Sequence, residues 1–179
     1  IRYLSRLVED LVDMGRLQSG QLTLHTEPVD LTALAVRAAE QCQQLAPDRT
    51  CVVEPPEARP RLLVRGDAQR LTQVLINLLE NAVKYAPASP RISVRLAAED
   101  GQARVSVHDD GPGIPAAELP VLFDRFYRAP SEQHSSRSGL GLGLFIARQI
   151  IEQHGGSLTA ESAPGAGTTF TIRLPLAES

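Results

Sequence analysis

Residues 91–110 read RISVRLAAEDGQARVSVHDD. Ile92, Val94 and Leu96 alternate with polar side chains, and after Asp100-Gly101 the alternation returns with Ala103, Val105 and Val107. A period of two puts one side of each run against a core and the other toward water. An Asp-Gly step between two such runs marks a tight hairpin. The stretch therefore predicts two antiparallel strands, the second ending in the acidic pair Asp109-Asp110 and a glycine-proline loop.

Working outward, Asp67 predicts the N-cap of a long helix to about Tyr85, closed by Pro87. Its buried face is Leu71, Val74, Leu75, Leu78 and Ala82. Further back, Asp30 caps a helix from Leu31 to about Leu45, which Pro47 stops. Short strands are expected at 50–54 and 61–65, with 55–60 as a loop. Residues 1–19 carry Ile1, Leu4, Leu7, Val8, Leu11, Met14 and Leu17 at helical spacing. That seam suits either half of a coiled coil or an amphipathic helix packed on the domain. Gly20 and the stretch 23–30 (TLHTEPVD) end it. Beyond the hairpin, residues 129–139 are small and polar. A helix is expected from about Gly143 to His154, stopped by Gly155-Gly156. Strands near 157–162 and 168–174 follow. No internal repeat is visible. This order predicts an α/β (α+β) two-layer sandwich, with a mixed, mostly antiparallel sheet and helices on one face.

Composition narrows the function classes. The chain has 179 residues, enough for one core, and begins with Ile1 rather than Met, so it is read as a piece of a longer protein. A net charge of −3 leaves no electrostatic footprint for nucleic acid. Lys84 is the only lysine among 18 basic residues. Cys42 and Cys51 form no CxxC pair, so no zinc site is expected, and a reduced, cytosolic setting fits. No run approaches the roughly 20 apolar residues of a membrane span, and no signal peptide is visible.

Three clusters look chemical. On the long helix, Asn77, Asn81 and Lys84 are spaced by four and three and share one face, which runs back to Gln73 and Arg70. Such a stripe can be a solvated face. Asparagine is a weak helix former, however, and two of them a turn apart beside a lysine suit a metal oxygen ligand and a phosphate partner. The second cluster is 109–115 (DDGPGIP), which reads equally as a surface turn or as a pocket floor with a carboxylate at a strand end. The third is 138–151 (SGLGLGLFIARQII). Its glycines open a helix, but no strand precedes them as a dinucleotide fingerprint requires, and no Gly-Lys-Ser/Thr of a P-loop is present.

Taken together and in this order, the clusters resemble the ATP-binding domain of bacterial sensor histidine kinases. That domain belongs to a wider family with gyrase, the mismatch-repair ATPases and the ninety-kilodalton heat-shock chaperone. NLLENAVKY (77–85) resembles the N box, DDGPGIP (109–115) the first glycine box and LFDRFYR (122–128) the phenylalanine box. GLGLGL (139–144) and GAGTTF (165–170) resemble the second and third glycine boxes. The resemblance covers roughly residue 29 to the end. Residues 1–28 resemble the second helix of the dimerisation hairpin and its connection, so the expected division is 1–28 and 29–179.

The resemblance implies three helices on one sheet face and a mobile ATP lid, preceded by the amphipathic helix. Asp109 would accept from the adenine amino group. Asn81 would hold Mg²⁺ through its side-chain oxygen, Asn77 would support metal and phosphates, and Lys84 would face phosphate oxygens. Tyr85 would line the adenine or sugar pocket. Gly111, Gly113, Ile114, Leu140, Leu142 and Thr168 are further expected ATP contacts. Gly139, Gly141 and Gly143 would let the lid end swing and let backbone amides approach the phosphates. Residues 129–139 are then the lid, anchored by Phe123 and Phe126. For Phe126 and Tyr127 an ordinary core position is the competing reading. Arg125, Arg128 and Arg137 are candidates to stabilise the transferring phosphoryl group.

Hydrolysing members of the wider family place a water-activating glutamate where this chain has Asn77. Glu80 lies about 100° around the helix from Asn81 and reads as structural or exposed. The implied activity is therefore that of a protein-histidine kinase. Anti-sigma-type serine kinases and a non-catalytic nucleotide-sensing module are the alternatives. None of the four histidines, His25, His108, His134 and His154, stands in an acceptor motif. His154 reads as a helix-end cation in a favourable dipole contact. The acceptor is expected on an upstream helix of the hairpin. Implied partners are ATP, that hairpin, a response-regulator receiver domain and a second copy in a full-length homodimer. The implied setting is a cytoplasmic domain of a protein anchored in the bacterial inner membrane.

Overall fold

The 91–110 stretch forms its hairpin at the centre of the sheet. The structure, a computed structural model, describes residues 2–20, 22–57, 61–87, 89–129 and 140–177. Strands Arg91–Glu99 and Gln102–Asp109 pair antiparallel, with Val94 opposite Val107 and Leu96 opposite Val105. Asp100 and Gly101 make the turn at φ 50° and 75°. Two successive left-handed residues match the right-handed twist of the flanking strands.

In chain order the elements are α1 (Arg2–Gln18), β1 (Glu27–Asp30), α2 (Leu31–Leu45), β2 (Thr50–Glu54), β3 (Leu63–Gly66), α3 (Ala68–Tyr85), β4 (Arg91–Glu99), β5 (Gln102–Asp109), a short 3₁₀ turn (Leu119–Val121), α4 (Gly143–Gln153), β6 (Ser157–Ser162) and β7 (Thr168–Pro175). The main sheet has the order β2-β4-β5-β7-β6. Only β2 runs parallel to its neighbour; the other pairs are antiparallel. Ile92, Val94, Val105, Val107, Phe170 and Ile172 project from the sheet into one core with Leu34, Val74, Leu78, Ile146 and Ile150 of α2, α3 and α4. The expected two-layer, mixed-sheet fold is thus observed.

Helix ends follow the expected caps. Asp30 accepts from Thr32 N and Ala33 N, and Asp67 Oδ1 accepts from Gln69 N and Arg70 N. At the far end of α3, the Arg49 guanidinium donates to the carbonyls of Val83, Ala86 and Pro87. These are the acceptors a helix C-terminus leaves without intrahelical partners.

Two features differ from the sequence reading. The stretch expected as a mere connection holds β1, which pairs antiparallel with β3 in a separate two-stranded sheet. Pro28 and a length of four residues hide it from periodicity. His154 also does more than sit at a helix end. Its Nδ1 bonds the Ile150 carbonyl at 2.7 Å and its Nε2 accepts from the Asp67 backbone N–H at 2.9 Å. With Nε2 accepting, the ring proton is on Nδ1. The side chain ties the end of α4 to the start of α3 through a neutral imidazole, not a dipole-stabilised cation.

The first helix resolves its two readings by face. Met14 is buried in the core and Leu17 packs beside it, while Val8, Leu11 and Val12 are exposed. Asp13, also buried, accepts from Arg70 Nη1 at 2.7 Å and Gln73 Nε2 at 2.8 Å. Helix α1 is therefore docked on α3 by a polar contact and still presents an apolar stripe. No helix among the described residues is long and apolar enough to cross a membrane. Cys42 and Cys51 are free thiols with their sulfurs 2.9 Å apart; burial, first of all, pushes Cys42 up to about 12.

Candidate active site

The polar stripe of α3 divides in two. Its first half, Arg70 and Gln73, is spent on Asp13. The second half begins with Asn77, which reaches α4. Asn77 is only 4% exposed, and its Nδ2 donates to the Gly143 carbonyl at 3.3 Å. Asn81 follows one turn on, half-buried. Lys84 Nζ donates to the Tyr85 hydroxyl at 2.7 Å and lies 4.3 Å from the centre of that ring, and Tyr85 is exposed. Glu80 is half-buried and lines the groove between α2 and α3 with Ala38, Gln41 and Ile76. It lies about 100° around the helix from Asn81.

Asp109 ends β5 directly opposite Thr168, which opens β7. Both are buried. Asp109 Oδ1 accepts from Gly111 N at 2.9 Å, and the nearby Thr168 N–H also favours the charged carboxylate. Burial is the largest influence on Asp109 and raises its pKa above the usual value, against the lowering effect of these N–H groups. Glycine at 111 has a spatial cause. A Cβ there would lie 2.6 Å from Asp109 Oδ1 and 2.7 Å from Ala86 Cβ. The loop runs on through Gly113 and Ile114, whose N–H donates to Ser162 Oγ at 2.8 Å. The Gly165 N–H in turn donates to the Pro112 carbonyl at 2.7 Å, so two glycine loops interlock beside Asp109.

The glycine-leucine run forms the entry to α4. The Leu142 side chain is buried in the core, and Leu140 packs partly against it. These residues offer backbone, not side chains, to any ligand. The Phe126 N–H donates to the Gly141 carbonyl at 3.1 Å. Phe126 is 57% exposed with φ 62°, which excludes the core reading for it. Phe123 is buried and meets Phe170 edge-on at 6.4 Å. Tyr127 donates to Glu118 at 2.7 Å; burial and this bond push its hydroxyl to about 12. Of the three candidate arginines, the exposed Arg125 lies 5.7 Å from the Phe145 ring in the first turn of α4, and Arg128 is half-buried. Arg137, Gly139 and His134 lie outside the described residues.

The site therefore has two ends. Asp109, Gly111, Ala86 and Thr168 make a buried, carboxylate-bearing end. Asn77 meets the start of α4, a helix whose N-cap Leu142 makes no side-chain cap, and Asn81 and Lys84 continue the Asn77 stripe along α3. Sequence reasoning did not single out Ser162, Ala86 or Arg49. Ser162 had a detectable signal: it follows Leu158 and Ala160 at an inward position of β6, where a polar residue needs a partner.

Comparison with known proteins identifies the family. The family of histidine kinase-, DNA gyrase B- and HSP90-like ATPases matches residues 66–178. The chain belongs to that family. Among its relatives, the sensor protein KdpD of Escherichia coli (strain K12) is 39% identical over 171 residues, covering 96% of this chain and 19% of the relative. The probable sensor histidine kinase TcrY of Mycobacterium tuberculosis (strain ATCC 25618 / H37Rv) is 38% identical over 174 residues, covering 97% of this chain and 36% of the relative. A solved structure of the mycobacterial sensor histidine kinase MprB superposes with a TM-score of 0.73 at 35% identity, covering 86% of this chain and 99% of that one. Full-length ShkA, solved in complex with AMPPNP, gives 0.84 at 29% identity, covering 98% and 36%. Within the family, this chain is an ATP-binding catalytic domain of the sensor histidine kinase kind. It spans between 19% and 36% of the length of the two sequence relatives named.

Proposed function

We propose that the two-ended site holds ATP with its adenine at Asp109 and its phosphates between Asn77, Asn81, Lys84 and the start of α4. The observation that carries this reading is the bond from Asn77 to the Gly143 carbonyl. It brings the asparagine helix to a helix N-terminus, and the buried carboxylate of Asp109 stands at the end of β5. Gly111, Gly113, Ile114, Leu140, Gly141, Leu142 and Thr168 supply loop and backbone contacts, and Tyr85 and Phe126 supply exposed rings at the rim.

The donor set fits Mg²⁺ held mainly by the nucleotide. No cluster of three or more His, Cys, Asp or Glu side chains among the described residues could hold a metal by itself. The Asn81 amide oxygen is a hard ligand, suited to an ion that takes its remaining ligands from phosphates and water. Such an ion supplies charge neutralisation at the phosphate oxygens.

In the proposed reaction the acceptor imidazole nitrogen bonds the γ-phosphorus as the β–γ bridging bond breaks, and ADP leaves. Arg125, Arg128 and Arg137 stand as candidates to balance the spreading negative charge. Asn77, an amide, cannot take a proton from water, so hydrolysis lacks a general base there. The acceptor histidine is proposed to lie on a hairpin of which residues 1–28 form the last helix and connection, with residues 29–179 as the catalytic unit. The exposed stripe Val8, Leu11 and Val12 suits packing in such a hairpin and in a homodimer. Relay to a response-regulator aspartate and membrane anchoring of the longer protein complete the proposal.

Calorimetric titration of ATP, with and without Mg²⁺, tests the site. Asp109→Asn is expected to weaken ATP about tenfold or more, since hydrogen bonds to charged groups are worth roughly 1.5–3 kcal/mol. Unchanged affinity in that variant refutes the adenine assignment. Stoichiometric labelling of this chain by γ-labelled ATP refutes the upstream acceptor.

A further inference from the structure

We propose that Cys42 and Cys51 are a reversible dithiol–disulfide pair, an oxidation site that ties the end of α2 to β2 and tightens the grip of Arg49 on the end of α3.

The two cysteines come from different elements. Cys42 stands on the buried face of α2, and Cys51 is half-buried on β2, the outermost strand of its sheet. Their sulfurs face one another at 2.9 Å, only about 0.9 Å beyond disulfide bonding distance. Gln43 holds them there. Its Oε1 accepts from the Cys51 N–H at 3.0 Å, and its Nε2 donates to the carbonyls of Ala46 and Arg49. The turn between the cysteines is thus folded onto the end of α2 before any bond forms. Buried thiols also pack as small apolar groups, but packing alone does not require two sulfurs to meet.

The co-reactant is a small disulfide of the glutathione class. Cys51 gives its thiol proton to water, and its sulfur bonds one sulfur of that disulfide. The other sulfur leaves as a thiolate and takes up a proton. The Cys42 sulfur then bonds Cys51 Sγ, the mixed disulfide breaks, and the second small thiolate leaves with the Cys42 proton. Two protein thiols are oxidised and one small disulfide is reduced to two thiols. The order follows from burial. Cys42 is only 3% exposed. Burial, then the hydrogen bond and charge of Cys51, push its thiol up to about 12 against the opposing charge of Arg49. Cys42 therefore reacts second, from inside, with the sulfur already beside it. In reducing surroundings such a bond lasts only while the oxidant does, as a sensor requires.

The loop closed by this bond contains Arg49. Its guanidinium donates to the carbonyls of Val83, Ala86 and Pro87 at 2.7, 3.1 and 3.3 Å. Ala86 in turn bounds the space at Gly111 beside Asp109. Fixing the loop fixes this grip, so oxidation is felt at the end of α3 that borders the buried carboxylate.

The test equilibrates the reduced chain in mixtures of reduced and oxidised glutathione, blocks the remaining thiols with an alkylating reagent and weighs the products. The expected product has lost both thiol hydrogens, carries no alkyl group and is restored by dithiothreitol. It should melt about 5 °C higher than the reduced chain, the effect of closing a short loop in a chain of this size, and hydrogen exchange at 83–86 should slow. Cys51→Ser should show none of these responses to the oxidant. Arg49→Ala should keep the disulfide and lose the slowing at 83–86. Two alkylated cysteines at every glutathione ratio, a product that stops at the mixed disulfide, or disulfide-linked dimers would each overturn the pair. A disulfide that leaves exchange at 83–86 unchanged would overturn its link to α3.

Discussion

The Phe126 N–H and the Gly141 carbonyl meet at 3.1 Å and clasp the two ends of the segment between them. That clasp separates two glycines that look alike in the sequence. Gly141 has φ 70°, and a Cβ there would lie 2.5 Å from the Tyr127 carbonyl oxygen. Gly143 has open space: nothing lies nearer than 3.8 Å, and what lies there is the Asn77 carboxamide. Gly141→Ala is therefore expected to cost about 1–2 kcal/mol of stability. Gly143→Ala should leave stability unchanged or raise it by up to about 1 kcal/mol, yet weaken ATP about tenfold or more by filling the approach to the phosphates. Thermal unfolding beside ATP titration reads both. Equal stability losses in the two variants would contradict the assignment of Gly143 to the ligand.

Asp13 has a side chain 9% exposed and Arg70 one 16% exposed, so salt screens this ion pair little. Removing Asp13 takes the acceptor from Gln73 Nε2 and leaves Arg70 Nη1 with the uncharged Gln73 Oε1 at 2.9 Å. Asp13→Ala is expected to cost about 1–3 kcal/mol, concentrated in the docking of α1. Hydrogen exchange should speed up in α1 while β4 and β5 stay protected. A double-mutant cycle with Arg70→Ala should show coupling of about 1 kcal/mol or more. Additive losses would mean that the apolar contacts of Met14 and Leu17 alone hold the helix.

Asp67 joins three parts of the chain. Its Oδ2 accepts from His25 N, its Oδ1 caps α3, and its own N–H donates to His154. Burial alone would raise its pKa, but the N–H groups of His25, Arg70 and Gln69 and the Arg70 charge together hold it below the usual 3.8. A depressed folded pKa contributes stability above the unfolded value, and that contribution is lost as pH falls from about 3.8 through the folded value. Asp67→Ala should cost about 1–2 kcal/mol at neutral pH and remove this part of the acid transition. Unfolding free energies at pH 7 and pH 3 check it; an unchanged difference between the two pH values refutes the linkage.

The parts of this molecule legible in sequence are those decided by neighbours along the chain. Asp67 and Pro87 bracket α3 at the observed residues, and the alternation around Asp100-Gly101 places β4 and β5 in register. The order of the boxes marks the site because each one ends an element that the sheet brings to the same side. What stayed hidden depends on partners distant in sequence. Arg70 and Gln73 look like a continuation of the Asn77 stripe until Asp13 takes them. His154 looks like a helix-end cation until the Asp67 N–H reaches its Nε2 from 87 residues away. The Pro28 strand gains its meaning only from β3.

Asp109 makes the pH dependence of binding a direct test of the buried end. Burial, opposed by the N–H groups of Gly111 and Thr168, sets its folded pKa above the ordinary 3.8. The sign for stability follows: its favourable contribution is full below 3.8 and is lost as pH rises through the raised value. Binding runs the other way. An adenine amino group needs the ionised carboxylate, so affinity should fall as pH drops through that raised value, earlier than an ordinary aspartate would allow. Terminal phosphates also titrate, near pH 6, so the quantity to follow is the ratio of the affinities of the unmodified chain and Asp109→Asn. The phosphate contribution is common to both and cancels. The ratio should be largest at neutral pH and shrink toward one as Asp109 takes up its proton. A ratio independent of pH from neutrality down to pH 4 would place the adenine amino group on a partner other than this carboxylate.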